Sequence, residues 1–216
     1  MYKLLQGDCL ELIKKIPDGS VDLVVTDPPY GMNFQSNYRK EKYDKIDNDK
    51  TLDWLDEYVS ELYRIMKDNT AVYCFCSWHN IDIFKQTFEK YFKLKNIIVW
   101  EKNNTSMGDL KGSYAPKYEL VLFAHKGRRL LNGFRYPDII QAKRTGNQHH
   151  PTEKPVDLLE IFIGESSDEN NIVFDGFMGS GSTGVAALNL NRHFIGIELD
   201  KKYYETAKSR IENLNK

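Results

Sequence analysis

Short apolar runs alternate with longer amphipathic stretches from one end of the chain to the other. The apolar runs predict seven strands, at residues 2–5, 21–26, 70–76, 96–100, 118–124, 171–174 and 193–197. Apolar residues at helical spacing predict six helices, at residues 10–16, 52–66, 81–91, 156–162, 183–190 and 203–214. Strands that alternate with helices favour an α/β fold, with a mostly parallel sheet covered by helices on both faces.

One connection breaks this alternation. Between the runs at 96–100 and 118–124 there is no helical pattern, only a loop that contains Gly, Ser and Asn. We therefore predict one antiparallel strand at an edge of an otherwise parallel sheet of seven strands. The chain has 216 residues, which suits a single domain over 1–216.

A glycine-rich loop follows the strand at 171–174. It runs from Asp175 to Gly184 with the sequence DGFMGSGSTG, and its glycine spacing is typical of a turn that lets a cofactor approach the backbone closely. The next strand ends at Glu198, about 20 residues on, where an acid can bind a ribose diol. The combination predicts an adenosine-bearing cofactor. The alternative is a tight structural turn beside a surface glutamate.

Glycine spacing by itself does not distinguish a nicotinamide dinucleotide from S-adenosylmethionine. Two observations favour S-adenosylmethionine. Asp175 stands at the strand tip, where a carboxylate suits an ammonium better than a pyrophosphate. The loop also lies too near the end of the chain for a second nucleotide-binding half to follow, so the strand at 2–5 is expected to complete the sheet. A nicotinamide-dependent oxidoreductase stays open as an alternative.

The tetrapeptide Asp27-Pro28-Pro29-Tyr30 follows the buried strand at 21–26, at the strand end where α/β sheets bind ligands. Two prolines stiffen this loop. The amino nitrogen of adenine or cytosine is a poor nucleophile because its lone pair is delocalised into the ring. Asp27 and a backbone carbonyl can accept its two N–H bonds, and Tyr30 offers a stacking face to a base that has left the duplex. The alternative is a plain turn with a surface tyrosine.

Taken together and in this order, the motifs resemble the β-group of DNA amino-methyltransferases, in which the tetrapeptide precedes the glycine loop. Two further segments add to the likeness, Gly7-Asp8-Cys9 and His150-Pro151-Thr152-Glu153-Lys154-Pro155. The resemblance extends over nearly the whole chain. It implies a Rossmann-like domain, S-adenosylmethionine as cofactor and DNA as substrate.

The resemblance also assigns roles residue by residue. The implied catalytic residues are Asp27, Pro28, Pro29 and Tyr30. The implied cofactor contacts are Asp8, Cys9, Asp27, Lys154, Asp175, Phe177, Gly179, Gly181, Ser182, Thr183 and Glu198. One position departs from the family pattern, because Gly176 stands where a proline usually follows the leading aspartate.

The function we expect is methylation of adenine N6 in DNA, because the tetrapeptide begins with Asp rather than Ser. Methylation of cytosine N4 is the alternative within the same class, and a non-catalytic nucleic-acid-binding module is the alternative outside it. A catalytic loop is expected over about 27–50 and a target-recognition region over about 126–149. This second region is short, which speaks against elaborate sequence specificity.

The net charge of -1 means that any DNA-binding surface has to be local. The expected DNA contacts are basic residues of the long loops, namely Arg39, Lys40, Arg128, Arg129, Arg135, Lys143 and Arg144. For each of them a solvated charged loop is the alternative. The resemblance further makes a homodimer and a cognate restriction endonuclease plausible partners.

The remaining composition predicts a cytoplasmic enzyme. The three cysteines have no metal-type spacing, and we expect neither a disulfide framework nor a bound metal. Cys74 and Cys76 are expected on one buried face of a strand. No apolar run is long enough to predict a membrane span, and the first residues lack the apolar stretch of a signal peptide.

Overall fold

The computed structural model describes residues 1–31, 51–105, 110–146, 149–150 and 152–214. Their strands are β1 (Tyr2–Gln6), β2 (Val21–Thr26), β3 (Met66–Cys76), β4 (Lys93–Lys102), β5 (Tyr118–Lys126), β6 (Ile139–Ala142), β7 (Ile172–Asp175) and β8 (His193–Glu198). Within these residues the strands form one sheet in the order β1-β8-β7-β2-β3-β5-β4-β6. The predicted pairing of the first strand beside the last is confirmed, because β1 lies parallel to β8.

Helices cover both faces of the sheet, as predicted. They are α1 (Cys9–Leu12), followed by a single 3-10 turn, α2 (Leu55–Ile65), α3 (Ile81–Glu89), α4 (Val156–Ser166), α5 (Ser182–Asn189) and α6 (Lys201–Asn213). The first three pack on one face, where Tyr58 and Phe84 are fully buried. The last three pack on the other face through residues such as Phe162 and Ile211. Burial of these apolar stripes is the main stabilising contribution to the sheet.

The sheet differs from the prediction in its strand count and its edge. The described residues contain eight strands rather than seven, since β6 joins parallel to β4. The predicted antiparallel strand is β5, but it lies inside the sheet, antiparallel to both β3 and β4. β6 was missed because it is four residues long and buries only Ile140, so it carries no apolar periodicity.

After two neighbouring central strands, the chain continues to opposite faces of the sheet. β2 pairs in parallel with β7 on one side and β3 on the other. After β2 the next helix is α2, on the first face, whereas after β7 it is α5, on the second face. Such a topological switch point opens a crevice beyond the carboxyl ends of the two strands, where ligands of open α/β sheets bind.

Several strands contribute residues to the edge at which the parallel strands end, called here the carboxyl edge. Because β5 runs in the opposite direction, its first residues lie at this edge, with Leu120 opposite Cys76 of β3. The end of β4 joins them, with Lys102 opposite Ala142 of β6. None of the described helices has the length and apolarity of a bilayer span.

Candidate active site

The tetrapeptide at the end of β2 is held by hydrogen bonds at both of its ends. The Tyr30 hydroxyl donates to Asp27 Oδ1 at 2.5 Å. Asn80, which follows β3, donates from Nδ2 to the Tyr30 carbonyl oxygen at 2.6 Å. Pro28 is buried, and Gly31 turns the chain at a φ of +71°. These contacts and the two prolines fix the Asp27 carboxylate at the carboxyl edge.

A lysine from a distant part of the chain occupies the other oxygen of this carboxylate. Lys154 Nζ lies 2.5 Å from Asp27 Oδ2 and 3.2 Å from Glu119 Oε2, and its side chain is only 7% exposed. Glu119, the second residue of β5, also pairs with Lys102 Nζ at 2.6 Å. Two carboxylates and two ammonium groups therefore alternate in a row, and their charges cancel.

Burial and pairing move the pKa values of these groups in opposite senses. Burial raises the pKa of Asp27, and the neighbouring Lys154 ammonium opposes that rise. Burial would lower the pKa of Lys154, but Asp27 and Glu119 together raise it, so the ammonium stays charged. Burial would raise the pKa of Glu119, but Lys154 and Lys102 lower it. In each case the neighbouring opposite charge favours the charged form and opposes the effect of burial.

A second carboxylate lies at the end of the adjacent strand β7 and has only neutral partners among the described residues. Asp175 Oδ2 accepts a hydrogen bond from the Thr183 hydroxyl at 2.7 Å, and Oδ1 accepts one from the Phe177 amide at 3.1 Å. Burial raises the pKa of Asp175 to about 7. This carboxylate is therefore close to protonation at neutral pH and would gain from a positively charged ligand.

The glycine loop continues from Asp175 toward the end of β8. The Gly179 amide donates to Glu198 Oε2 at 2.8 Å, and the Asp200 amide donates to Oε1 at 2.8 Å. Gly179 and Gly181 have φ values of +51° and +84°, which a side chain would strain. At Gly181 an added Cβ would also lie 2.9 Å from Ala207 Cβ. These glycines are needed by the turn that brings the loop against Glu198.

The departure at Gly176 has a steric reason. A Cβ at this position would come within 2.7 Å of both Cys9 Sγ and the Tyr58 hydroxyl. Tyr58 is fixed there by a hydrogen bond of 3.0 Å to the Thr26 hydroxyl, and its ring packs on Phe177 with centroids 5.0 Å apart. The space that a proline would need is thus filled by residues of α1 and α2.

The structure brings most of the predicted cofactor residues to one stretch of the carboxyl edge. Cys9 is buried beside Gly176, and Asp8 caps α1 by accepting a hydrogen bond from the Leu10 amide at 2.8 Å. Ser182 and Thr183 begin α5, and both are buried. Lys154 stays a predicted cofactor contact, and its ammonium contacts Asp27, another of the predicted residues.

The chemistry of this stretch distinguishes between two types of cofactor. Its side-chain acids are Asp8, Asp175 and Glu198, and the described basic group nearby, Arg210, is bound to Glu153 and to the Ser180 carbonyl. Acids repel a pyrophosphate, but they suit a cofactor that carries positive charge and ribose hydroxyls. The donor set therefore fits S-adenosylmethionine and opposes a nicotinamide dinucleotide.

The predicted DNA contacts do not share one surface. Arg39 and Lys40 lie outside the described residues. Lys143 is exposed after β6, at the carboxyl edge, and Arg144 follows it, with its amide bonded to Asn103 Oδ1 at 3.0 Å. Arg135 is exposed on the loop that enters β6 from the opposite edge.

Arg128 and Arg129 lie away from the tetrapeptide. They follow β5, whose last residue, Lys126, lies opposite Thr70 in the amino-terminal half of β3, so they sit at the edge opposite Asp27. The Arg129 guanidinium also binds Asn132 at 2.6 Å. The antiparallel direction of β5 is the reason, and we do not include either residue in the DNA surface that we propose below.

Three residues around the tetrapeptide and its lysine were missed by sequence reasoning. Asn80 contacts Tyr30, Glu119 contacts Lys154, and Lys102 pairs with Glu119. Each lies at a strand end on the carboxyl edge, and the only available signal was a polar residue next to an apolar strand. That signal is common, because most strands end in polar residues. Only the pairing of β3, β5 and β4 brings the three toward Asp27.

Comparison with known proteins adds independent observations. The N6/N4 DNA methylase family model matches residues 21–209. Escherichia coli (strain K12) YubD, whose name describes it as a methylase, is 36% identical over 212 residues, which cover 98% of this chain and 90% of YubD. The DNA adenine methyltransferase YhdJ of the same organism is 30% identical over 248 residues, covering 97% of this chain and 82% of YhdJ.

Solved structures share the architecture. The complex of M1.HpyAVI with SAM matches with a TM-score of 0.74 and 31% identity, covering 98% of this chain and all of the other. The cytosine-N4-specific PvuII DNA methyltransferase matches with a TM-score of 0.79 over 97% of this chain and 87% of its own, and at 20% identity it shows the fold alone. With its tetrapeptide, its glycine loop and a family match over most of its length, this chain belongs to the N6/N4 DNA methylases.

Proposed function

We propose that this protein transfers a methyl group from S-adenosylmethionine to the exocyclic N6 of adenine in DNA. One observation carries the proposal. The Asp27 carboxylate and the acidic glycine-loop site end neighbouring parallel strands, β2 and β7, at the switch point of the sheet. A flipped base and a cationic cofactor can therefore meet in one crevice.

On the cofactor side, the acids take the positively charged and hydroxyl groups. Asp175 receives the ammonium of the methionine portion, and Glu198, oriented by two backbone amides, receives the ribose hydroxyls. When bound, the cofactor supplies an electrophilic methyl carbon on a positively charged sulfur. Asp8, Cys9, Phe177, Gly179 and Gly181 remain proposed contacts along the same stretch.

Two predicted cofactor contacts receive a different role in this proposal. The Thr183 hydroxyl donates to Asp175, and Arg210 lies 3.4 Å from the Ser182 hydroxyl. Both residues begin α5 and are buried. We therefore expect them to shape the glycine loop and orient Asp175 rather than to touch the cofactor.

On the base side, Asp27 accepts an N–H bond of the amino group. This favours tetrahedral character at the nitrogen, so that its lone pair would be free to accept the methyl group that a bound cofactor supplies. The proton that the nitrogen then loses would leave along the hydrogen bond to Asp27 and pass to solvent. In the described structure Asp27 Oδ1 is bonded to the Tyr30 hydroxyl. That hydroxyl has to release the oxygen when the base enters, and its ring is then placed to stack on the base.

Adenine is favoured by the aspartate that begins the tetrapeptide and by the likeness to YhdJ, which is named as a DNA adenine methyltransferase. Cytosine N4 is the alternative, because it presents the same kind of amino group to the same acceptor. Lys143 and Arg144, at the carboxyl edge, are the described residues of the DNA surface that we propose. Arg128, Arg129 and Arg135 lie at the opposite edge and are not included in it, and Arg39 and Lys40 stay predictions. The catalytic loop, the target-recognition region, a homodimer, a cognate endonuclease and a cytoplasmic location stay predictions.

The direct test is to incubate the protein with methyl-labelled S-adenosylmethionine and duplex DNA, digest the product and separate the nucleosides. We expect the label in N6-methyldeoxyadenosine. Label in N4-methylcytosine would keep the reaction class and overturn the base assignment. Label that appears only when RNA replaces DNA would overturn the substrate.

A further inference from the structure

The ion pair between Asp27 and Lys154 is part of a row of four charged side chains. Four side chains contribute to it from four parts of the chain: Lys102 at the end of β4, Glu119 at the start of β5, Lys154 just before α4 and Asp27 after β2. We propose that Glu119, backed by Lys102, is a positioning residue that holds Lys154 on Asp27 and so keeps the carboxylate oriented for the base. This inference rests on the proposed function.

The contacts give this row a direction. Lys102 Nζ pairs with Glu119 Oε1 at 2.6 Å, and the other oxygen, Oε2, lies 3.2 Å from Lys154 Nζ. Lys154 Nζ in turn lies 2.5 Å from Asp27 Oδ2. Each charge has an opposite charge on both sides, except at the ends of the row. Glu119 thus links Lys154, which binds Asp27, to Lys102 at the end of β4.

Lys154 needs such a link because a lysine side chain is long and has many rotamers. Among the described residues, the ammonium otherwise has two kinds of neighbour: the Thr152 carbonyl at 3.4 Å, and the rings of Phe75 and Tyr30 at 4.9 Å and 5.9 Å. Neither carries a full negative charge. Without Glu119, the ammonium loses one of its two ionic partners, and the Asp27 carboxylate can rotate with it.

Orientation matters because the amino group is accepted by one carboxylate oxygen. Asp27 Oδ2 is bonded to Lys154, which leaves Oδ1, now bonded to Tyr30, as the oxygen that faces the base. A carboxylate that turns presents the wrong lone pair to the amino group. Misplacement of a catalytic group by about 1 Å costs on the order of a hundredfold in rate.

The neighbouring positions of the same two strands provide a matched control. Glu101 of β4 pairs with Lys117, just before β5, at 2.6 Å, and these side chains are 29% and 47% exposed. The corresponding values for Glu119 and Lys102 are 24% and 10%. Both pairs join the ends of β4 and β5, but the Glu101 pair makes no contact with Lys154. An exposed ion pair of this kind contributes little.

The experiment compares Glu119→Gln, Lys102→Met and the control Glu101→Gln in single-turnover methyl transfer with saturating S-adenosylmethionine and DNA. We expect the Glu119→Gln rate to fall by about tenfold to a hundredfold and the Lys102→Met rate to fall less. Glu101→Gln should stay within about twofold of the parent. The dissociation constant for S-adenosylmethionine should change little in all three. Melting temperatures show that each variant is folded at the assay temperature, and Glu101→Gln should change this temperature least, because its ion pair is the more exposed one.

A double-mutant cycle separates positioning from a general structural role. If Glu119 acts through Lys154, adding Glu119→Gln to Lys154→Met should lower the rate by less than about twofold, although Glu119→Gln alone lowers it strongly. Additive losses would overturn the inference. A Glu119→Gln rate equal to that of the parent would also overturn it, as would a loss explained by weaker cofactor binding.

The failure of this inference can be distinguished from a failure of the proposed function. If Asp27→Ala retained full activity, the acceptor role of Asp27 would be wrong, and with it the basis of the inference. If Asp27→Ala is inactive while Glu119→Gln is fully active, the proposed function stands and only the positioning role of Glu119 is wrong. The outcome for the methylated base does not affect this comparison.

Discussion

Two carboxylates end neighbouring strands of this sheet, one half-buried and one buried, and their surroundings differ in charge. Asp27, after β2, has the Lys154 ammonium at 2.5 Å. Asp175, at the end of β7, has a hydroxyl and an amide as its described partners, and burial raises its pKa to about 7. One carboxylate already has its cation, and the other has room for one.

This difference matches the ligands that we assign to the two sites. The amino group of a base is neutral, so the carboxylate that accepts its N–H bond must obtain its own counter-charge from the protein. The cofactor carries positive charge, so the carboxylate that binds it needs no cation in the free protein. Two acids about one strand apart can thus serve opposite purposes because their neighbours differ.

The largest effect is expected when the Asp27 carboxylate is removed. We expect Asp27→Ala to lower the single-turnover rate of methyl transfer by at least about a hundredfold, because the amino group loses its charged acceptor. The dissociation constant for S-adenosylmethionine, measured by calorimetry, should change by no more than a few-fold. An equal loss of rate and cofactor affinity would show that the two carboxylates do not act separately.

Asp175 should instead determine the affinity for S-adenosylmethionine, and this affinity should depend on pH. Binding of a cation favours the ionised carboxylate, whose pKa in the free protein is about 7. Cofactor affinity should therefore fall as pH falls, by about tenfold between pH 8 and pH 6. Calorimetric titration with S-adenosylmethionine at several pH values measures this directly.

The matched variant for this prediction is Asp175→Asn, which keeps a hydrogen-bond acceptor for Phe177 and removes the titrating charge. It should bind S-adenosylmethionine about tenfold to a hundredfold more weakly than the parent at pH 8, the range of a charge-assisted hydrogen bond. Its affinity should be nearly independent of pH over the same interval. A pH dependence that persists in Asp175→Asn would assign the titration to another group.

A smaller effect, on stability, is expected from a substitution at Gly176, where the glycine loop packs against α1 and α2. Gly176→Ala places a Cβ 2.7 Å from Cys9 Sγ and from the Tyr58 hydroxyl, so we expect a loss of about 1–3 kcal/mol in the free energy of unfolding. The control is Gly164→Ala in α4, where a Cβ meets nothing within 4 Å. That variant should be as stable as the parent or more stable, since alanine favours helix. Urea unfolding measures both.

The smallest effect concerns DNA binding at the two edges of the sheet. Lys143→Ala, at the carboxyl edge, should weaken DNA binding a few-fold and reduce the slope of log affinity against log salt by about 1. Arg128→Ala, at the opposite edge, should change neither value. Equal effects of the two variants, measured by fluorescence anisotropy at several salt concentrations, would contradict the surface we propose.

The parts of the molecule that sequence reasoning identified are those set by local rules. A strand end, two prolines and glycines at positive φ determine where Asp27 and Asp175 stand, and each of these is visible in a short segment. The alternation of apolar runs likewise predicts the α/β layers. The central strands and most helices were therefore expected close to where they lie.

The remaining parts depend on pairings between distant strands. Glu119 reaches Lys154 because β5 runs antiparallel beside β3, and the same reversal places Arg128 at the edge opposite Asp27. Nothing within the segments around these residues specifies that direction. Strand β6 was missed for a related reason, since its four residues are defined by pairing with β4 rather than by their own pattern.

The central claim is that Asp27 is paired with a cation of the protein, Lys154, whereas Asp175 has neutral partners and is paired with a cation only when the cofactor binds. Carbon-13 NMR of the aspartate carboxyl groups, assigned with Asp175→Asn and recorded against pH with and without S-adenosylmethionine, tests it directly. We predict that Asp175 titrates near pH 7 in the free protein and that its pKa falls on cofactor binding by more than that of Asp27. An Asp175 that titrates near its ordinary value of about 4, or a larger cofactor-induced shift at Asp27, would contradict the account.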